Sequence, residues 1–236
     1  MPDDRSTIWL AETLAEALEA RDSYTAGHGI RVGDFAHAIA LEMGFSTPQL
    51  EQLRIAAQLH DIGKIGIPDG ILLKPGPLKP EEYGLVKLHP QIGRRILEKA
   101  QTFEEMLPVV ELHHENFDGT GYPYGLVGEK VPLSARIVRV ADSFDAMTTD
   151  RAYRAAYRPE AAAREIQNCS GTLFDPQVVL AFLRVFKRSG TMGFMAGGSG
   201  RFLWAGIDTT QTQDDRSNQE SLEPALVRSP QPSRKS

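Results

Sequence analysis

Six histidines stand at positions 28, 37, 60, 89, 113 and 114, and two of them sit in unusual company. The stretch "AAQLHDIGKIGIP", residues 56 to 68, places His60 and Asp61 side by side where an apolar helix gives way to glycines, with Lys64 one turn further on. An imidazole, a carboxylate and an ammonium are each costly to bury alone. His28 shares a helix stripe with Val32 and Phe35, whereas His37, nine residues later at about 100° per residue, falls on the opposite face and is expected to meet water. His60 follows Leu53 and Ala57 on its own helix face, and His89 closes a helix at Pro90. His113 and His114 continue a stripe of Met106, Leu107 and Val110, and Asp142 lies one turn after Val138. One such histidine alone reads as a satisfied core residue. Five imidazoles and two carboxylates, each near the inner face or end of a helix, read as a site.

One metal rarely needs so many donors. The set suits two six-coordinate ions with Asp61 bridging and water completing the shells. Imidazoles select iron, manganese, zinc or nickel over magnesium and calcium, whose sites are built from oxygen. A paired centre lowers the pKa of a shared water and holds both oxygens of an in-line displacement at phosphorus, so the inferred reaction class is phosphoester hydrolysis.

The elements that must position these groups are helices. Residues 8 to 21 set Leu10, Leu14 and Leu18 on one stripe. Thr25 to Met43 reads as a second helix stopped by Gly44, and Ser46 or Thr47 caps a third, with Pro48 in its first turn, that runs into His60. Residues 65 to 80 carry four prolines and three glycines and read as loop. A helix from Pro80 should end near His89, because Pro90 disfavours the α conformation before it. Further helices are expected at 91–100, 103–116 and 132–149, with the glycine-rich loop "FDGTGYPYGLVGEKVP" between the last two, then in "RPEAAAREIQ" and in "DPQVVLAFLRVFKR", where Asp175 caps and Pro176 opens. The fold class is all-α: one compact helical domain over residues 1–190 and a flexible tail over 191–236, polar and poor in aromatic residues.

The bulk numbers fit this reading. A net charge of -5 gives no basic footprint, which disfavours a nucleic-acid polymer as partner. No apolar run is long enough to span a membrane, the N-terminus lacks a signal-peptide layout, and the lone Cys169 fits a reducing compartment, so a cytoplasmic protein is expected. Cys169 reads as packing rather than as a nucleophile, since nothing near it in sequence marks it as activated.

"HDIGK" with upstream "YTAGH", followed in order by "HP", "HHE", "FDGTGYP" and "VADSFDAMTTDRAYR", resembles the HD-GYP family of bacterial cyclic di-GMP phosphodiesterases, a branch of the HD phosphohydrolases. The resemblance runs from about Arg21 to Leu183. It implies an HD-type helical domain with a binuclear metal centre. The implied ligands are His28, His60, Asp61, His89, His113, His114 and Asp142, with iron as first choice and manganese second. The implied activity is hydrolysis of cyclic di-GMP to linear pGpG, GMP or both, by in-line attack of a metal-bridging hydroxide, with Lys64 at the substrate phosphate or leaving oxygen. The alternatives are a phosphodiesterase for another cyclic dinucleotide, and a weakly active signalling module that binds cyclic di-GMP or a partner protein. Gly121, Tyr122 and Pro123 form the loop that names the family, near the substrate and open to regulatory contacts, as is the tail. Arg151 and Arg154 in "DRAYR" match the family's phosphate- and guanine-binding positions, and an arginine fork suits both. Where some members carry a glutamate four residues before the first histidine, this chain has Tyr24, which argues for two metals rather than three.

Several of these residues have plainer readings. Lys64 could be a solvated helix-end charge, Arg151 and Arg154 could pair with Asp150 or Glu160, and "GTGYP" could be turn chemistry alone. Asp145, three residues past Asp142, could orient a histidine ring or pair with an arginine, and the sequence does not separate the two. The stripe of the first helix is compatible with packing on the core or with a homodimer seam.

Overall fold

The computed structural model describes residues 4–21, 27–150, 155–190, 193–196 and 202–205. Among them the chain forms ten α-helices and a two-stranded hairpin. Tyr24, Arg151 and Arg154 lie outside the described residues.

Helix α1 (Asp4–Arg21) packs through Ala11 and Leu18, both buried, with Leu14 partly covered. Its inner stripe is therefore Ala11, Leu14 and Leu18. Leu10 instead joins Ile8 and Trp9 on the exposed side. The pair α2 (His28–Glu42) and α3 (Thr47–Leu59) forms the first wall of the core through Val32, Phe35, Ile39, Leu50, Leu53 and Ala57. Ser46 and Gln49 cap α3 reciprocally, with Pro48 in the first turn, where its missing N–H costs nothing. Helix α8 (Leu133–Thr148) is central, burying Ile137, Val138, Val140, Ala141, Phe144 and Met147. Phe144 meets Phe35 of α2 edge-to-face at 5.0 Å, and Phe182 of α10 (Pro176–Gly190) at 5.1 Å. Helix α9 (Pro159–Asn168) covers the end of α8 through Ala162 and Ile166. Asp175 accepts the Gln177 N–H at 2.7 Å, the expected cap of α10.

Three segments and the setting of one histidine differ from expectation. The proline-rich stretch 65–80 is not all loop: a 3-10 helix covers Ile62–Gly66, and Asp69–Leu72 makes one helical turn, α4. Helix α5 (Pro80–Val86) stops before His89, which opens α6 (His89–Leu97) instead of closing a helix. Pro90 then sits in a first turn, a place that tolerates it. The expected helix 103–116 divides into a 3-10 helix, Gln101–Met106, and α7 (Leu107–Leu112), because Pro108 removes an N–H that a continuous helix would need. His37 is half-buried, with its Nδ1 out of contact with water, so it does not simply face solvent.

Within the stretch read as a flexible tail, β1 (Gly193–Ala196) and β2 (Phe202–Ala205) pair antiparallel, Phe194 opposite Trp204. The fold is otherwise helical, as the all-α reading expects. No helix among the described residues is long and apolar enough to cross a membrane.

Candidate metal centre

His60 is the C-terminal cap of α3 and His113 that of α7, while His89 lies three residues past the end of α5. The last carbonyls of an α-helix have no partner of their own. Each of these rings takes one. His60 Nδ1 donates to the Ala57 carbonyl at 2.6 Å, His89 Nδ1 to Val86 at 2.7 Å, and His113 Nδ1 to Val110 at 2.9 Å. His28 is oriented differently: its Nδ1 donates to Asp145 at 2.7 Å, and Asp145 is also gripped by Arg31, Nε at 2.6 Å and Nη2 at 3.0 Å. Both readings of Asp145 therefore hold at once.

With Nδ1 engaged in all four rings, each Nε2 is left to the interior, and these nitrogens converge. His89 Nε2 lies 3.3 Å from His113 Nε2 and 3.1 Å from Asp61 Oδ1. His28 Nε2 is 3.4 Å from Asp142 Oδ1, and His60 Nε2 is 3.4 Å from Asp61 Oδ2. The donor atoms fall into two sets, each within 4.8 Å throughout: Asp61, His89, His113 and His114, and His28, His60 and Asp142. Asp61 joins them. Its Oδ1 faces His89 and, at 4.0 Å, His113, while its Oδ2 faces His60 and, at 3.8 Å, His28.

Acceptors crowded against acceptors in a dry space repel unless a cation lies among them. Donors bound at roughly 2.1 Å to a six-coordinate ion stand about 3 Å apart when adjacent and about 4.2 Å when opposite. The distances above fall in that range. His60 Nε2 and Asp61 Oδ1 are fully buried and make no hydrogen bond of acceptable geometry, the expected state of atoms reserved for a metal. Each of the two donor sets could hold a divalent metal ion.

The electrostatics agree. Burial works against the His60 imidazolium, but the Asp61 and Asp142 carboxylates overcome it and carry its pKa up to about 9, so this spot attracts positive charge. Burial raises the Asp61 carboxyl, and Lys64 and His60 more than reverse that, holding it well below the usual carboxylate range. Burial drives His113 and His114 well below the ordinary imidazole value, leaving both neutral, as ligands must be.

Lys64 Nζ lies 2.5 Å from Asp61 Oδ2, so it is drawn onto the centre rather than out into solvent. Tyr122 stacks on His114, ring centroids 4.7 Å apart at 21°, which brings the GYP loop to the edge of the site. Gly121 is needed for closeness, not for a positive φ. A Cβ there would stand 2.2 Å from the Asn116 nitrogen and 2.5 Å from the His114 oxygen. Loop and "HHE" segment thus touch backbone to backbone, and the buried Glu115 carboxylate reaches out to the Tyr124 N–H at 2.7 Å and the Leu126 N–H at 3.0 Å. Sequence reasoning missed Glu115 as the loop's anchor and Arg31 as the partner of Asp145. The signal for Arg31 was its place one turn after His28 on the same helix face.

Residues 12–178 match the model of the HD domain family. The chain belongs to that family. The HD domain carries a further likeness in sequence. A cyclic di-GMP phosphodiesterase of Thermotoga maritima is 48% identical over 183 residues, covering 75% of this chain and 48% of that protein. The cyclic di-GMP phosphodiesterase response regulator RpfG of Xanthomonas campestris is 45% identical over 173 residues, covering 72% and 46%. Among solved structures, the HDG"Y"P protein Bd1817 of Bdellovibrio bacteriovorus superposes with a TM-score of 0.60 at 21% identity, over 78% of this chain and 65% of that one, a likeness of fold. The chain spans about half the length of the curated relatives it matches.

Proposed function

We propose that this HD domain hydrolyses cyclic di-GMP to linear pGpG, GMP or both, with two divalent ions held by His28, His60, Asp61, His89, His113, His114 and Asp142. The observation that carries the proposal is Asp61, whose two oxygens face the two donor sets. When bound, the ions supply an activated water and neutralise the charge that builds on the phosphoryl oxygens. The chain's own residues do the rest. Helix-end carbonyls and Asp145 hold the imidazoles turned inward with Nε2 toward the site, and Lys64 is poised to assist the departing 3′ oxygen. Tyr122, Gly121, Arg151 and Arg154 are proposed for the substrate's bases and phosphates. Iron is the first choice of metal and manganese the second. The inferred setting is the cytoplasm, with regulatory contacts through the GYP loop or the tail and with homodimerisation as further proposals.

The test is an anaerobic assay of purified protein loaded in turn with iron, manganese and zinc, on cyclic di-GMP and on the mixed GMP–AMP ring. Linear dinucleotide or GMP should form fastest from cyclic di-GMP, and Asp61→Ala should abolish it. No product from either ring with any metal refutes the activity, and preference for the mixed ring refutes the substrate.

A further inference from the structure

The 3-10 helix Ile62–Gly66 that follows the "HD" pair is held from two sides, and only one of them belongs to the metal centre. On the inner side Gly63 lies directly on the backbone of α6: a Cβ at Gly63 would stand 1.8 Å from the His89 carbonyl oxygen and 2.5 Å from the Gly93 nitrogen. On the outer side lies Arg21, the last residue of α1. A guanidinium has five N–H donors in a rigid fork. The contacts of Arg21 match all five. Nε donates to Asp69 Oδ1 at 2.9 Å, Nη1 donates to the Lys64 carbonyl at 3.0 Å and to that of Ile65, and Nη2 donates to the Ile67 carbonyl and to Asp69 Oδ1 at 2.6 Å.

The carbonyls of Lys64, Ile65 and Ile67 lie where the 3-10 helix ends, and a cation is the favoured partner at such an end. The Lys64 carbonyl already accepts the Ile67 N–H at 3.0 Å, so Arg21 adds to a turn that is locally formed and fixes where it points. The backbone so fixed carries the Lys64 side chain, whose Nζ lies 2.5 Å from Asp61 Oδ2. A solvated surface arginine would spread its donors into water. This one spends them on a single segment, with its side chain one-quarter exposed.

We infer that Arg21 is a positioning residue for hydrolysis: by capping the turn at residues 64–69 from α1, it holds Lys64 in register with Asp61. The inference rests on the reading of Lys64 and Asp61 as parts of the hydrolytic site. Among the described residues Arg21 bonds to no candidate metal ligand, and it acts through the segment it holds. Lysine cannot replace it, because three donors on a point charge do not reproduce the fork.

The test compares metal-loaded full chain carrying Arg21→Lys, Arg21→Ala or the milder Asp69→Asn, which leaves the carbonyl contacts in place. Two readouts are taken: kcat and KM on cyclic di-GMP, and amide hydrogen exchange across residues 62–69 by mass spectrometry. The expected result is faster exchange in that segment for both Arg21 variants. It is joined by a fall in kcat of roughly 10- to 100-fold with KM and metal content close to unchanged, since a misplacement of about 1 Å costs on that order. Asp69→Asn should show the same pattern more weakly, and methylguanidine should restore part of the kcat of Arg21→Ala. Unchanged exchange at 62–69, unchanged kcat, loss of metal in step with activity, or full activity in Arg21→Lys would each overturn the inference. If wild-type protein hydrolyses no cyclic dinucleotide, the proposed function fails, while the exchange readout still decides whether Arg21 holds the segment.

Discussion

Asp145→Asn offers the sharpest separation of the two donor sets. Asp145 is 2% exposed and accepts three hydrogen bonds, from His28 Nδ1 at 2.7 Å, Arg31 Nε at 2.6 Å and Arg31 Nη2 at 3.0 Å. Burial raises its carboxyl pKa, but the bonds from His28 and Arg31 more than offset that and hold it below the usual range, so the group is ionised at neutral pH. An asparagine keeps the shape, loses the charge, and turns one acceptor into an NH₂ that must face either a guanidinium or an imidazole N–H. Breaking one side of a buried, hydrogen-bonded pair costs about 3–5 kcal/mol. At the low end of that range Tm falls by roughly 6–12 °C for a domain of this size.

The functional cost is separate. Loss of the group that orients a ligating histidine lowers metal affinity by roughly 10- to 100-fold, or about 1.4–2.7 kcal/mol. It should fall on the set of His28, His60 and Asp142, because Asp145 touches His28 and no member of the other set. The assay is metal content by mass spectrometry after anaerobic equilibration against a graded chelator. Wild type should release its ions in two steps, and the variant should shift the step of one ion only. Two ions retained with unmoved midpoints, or both steps shifted equally, would falsify the partition of ligands argued here.

Three further outcomes follow from the same geometry. Removing metal should lower thermal stability, because ions that bind only the folded state contribute about 2.7 kcal/mol at a free concentration 100 times Kd; a melting temperature indifferent to chelator would speak against a buried centre. Gly121→Ala should cost about 3 kcal/mol or more in urea denaturation, because its Cβ would meet the backbone at 2.2–2.6 Å, where no side chain can move aside; a wild-type midpoint would show the loop free to lift. Cys169 should resist alkylation at pH 8: burial and then the Glu165 carboxylate push its thiol up to about 11, so its thiolate fraction is roughly 100-fold below that of a thiol near 9. Reactivity should rise only as pH climbs toward 11, and rapid labelling at pH 8 would contradict the packing role.

Most of the site was legible because its members sit where helical pattern and chemistry disagree. An apolar stripe that ends in His60 and Asp61, or in His113 and His114, is a local contradiction that a shared ligand would resolve. What periodicity does not report is position along the helix axis. It assigns a face but not an end, so His89 was placed at the close of one helix when it opens the next, and residues 103–116 were drawn as one helix across Pro108. Face was also missed once: Leu10 was read on one stripe with Leu14 and Leu18, but the neighbouring Ala11 takes that place and Leu10 is exposed. The partners of Asp145 and Glu115 were harder to reach for another reason: each contact joins segments whose approach is fixed by tertiary packing, and only the place of Arg31 one turn after His28 gave a local hint.

The end-of-helix placement of the histidines has its own physical logic. Ala57 and His60, Val86 and His89, and Val110 and His113 share one spacing, each histidine three residues after its carbonyl. Within a helix interior those carbonyls would be taken by backbone N–H groups, and a ring could bond one only in competition with the helix. At the end they are available. A histidine there satisfies an orphan acceptor and, by the same bond, fixes which nitrogen carries the proton. The helix terminus thus does for three candidate ligands what Asp145 does for His28, without a charged residue for each. Extending α3 or α7 by one turn would remove the free carbonyl and release the tautomer while leaving every ligand in the sequence. The centre therefore depends on where these helices stop as much as on which residues follow them.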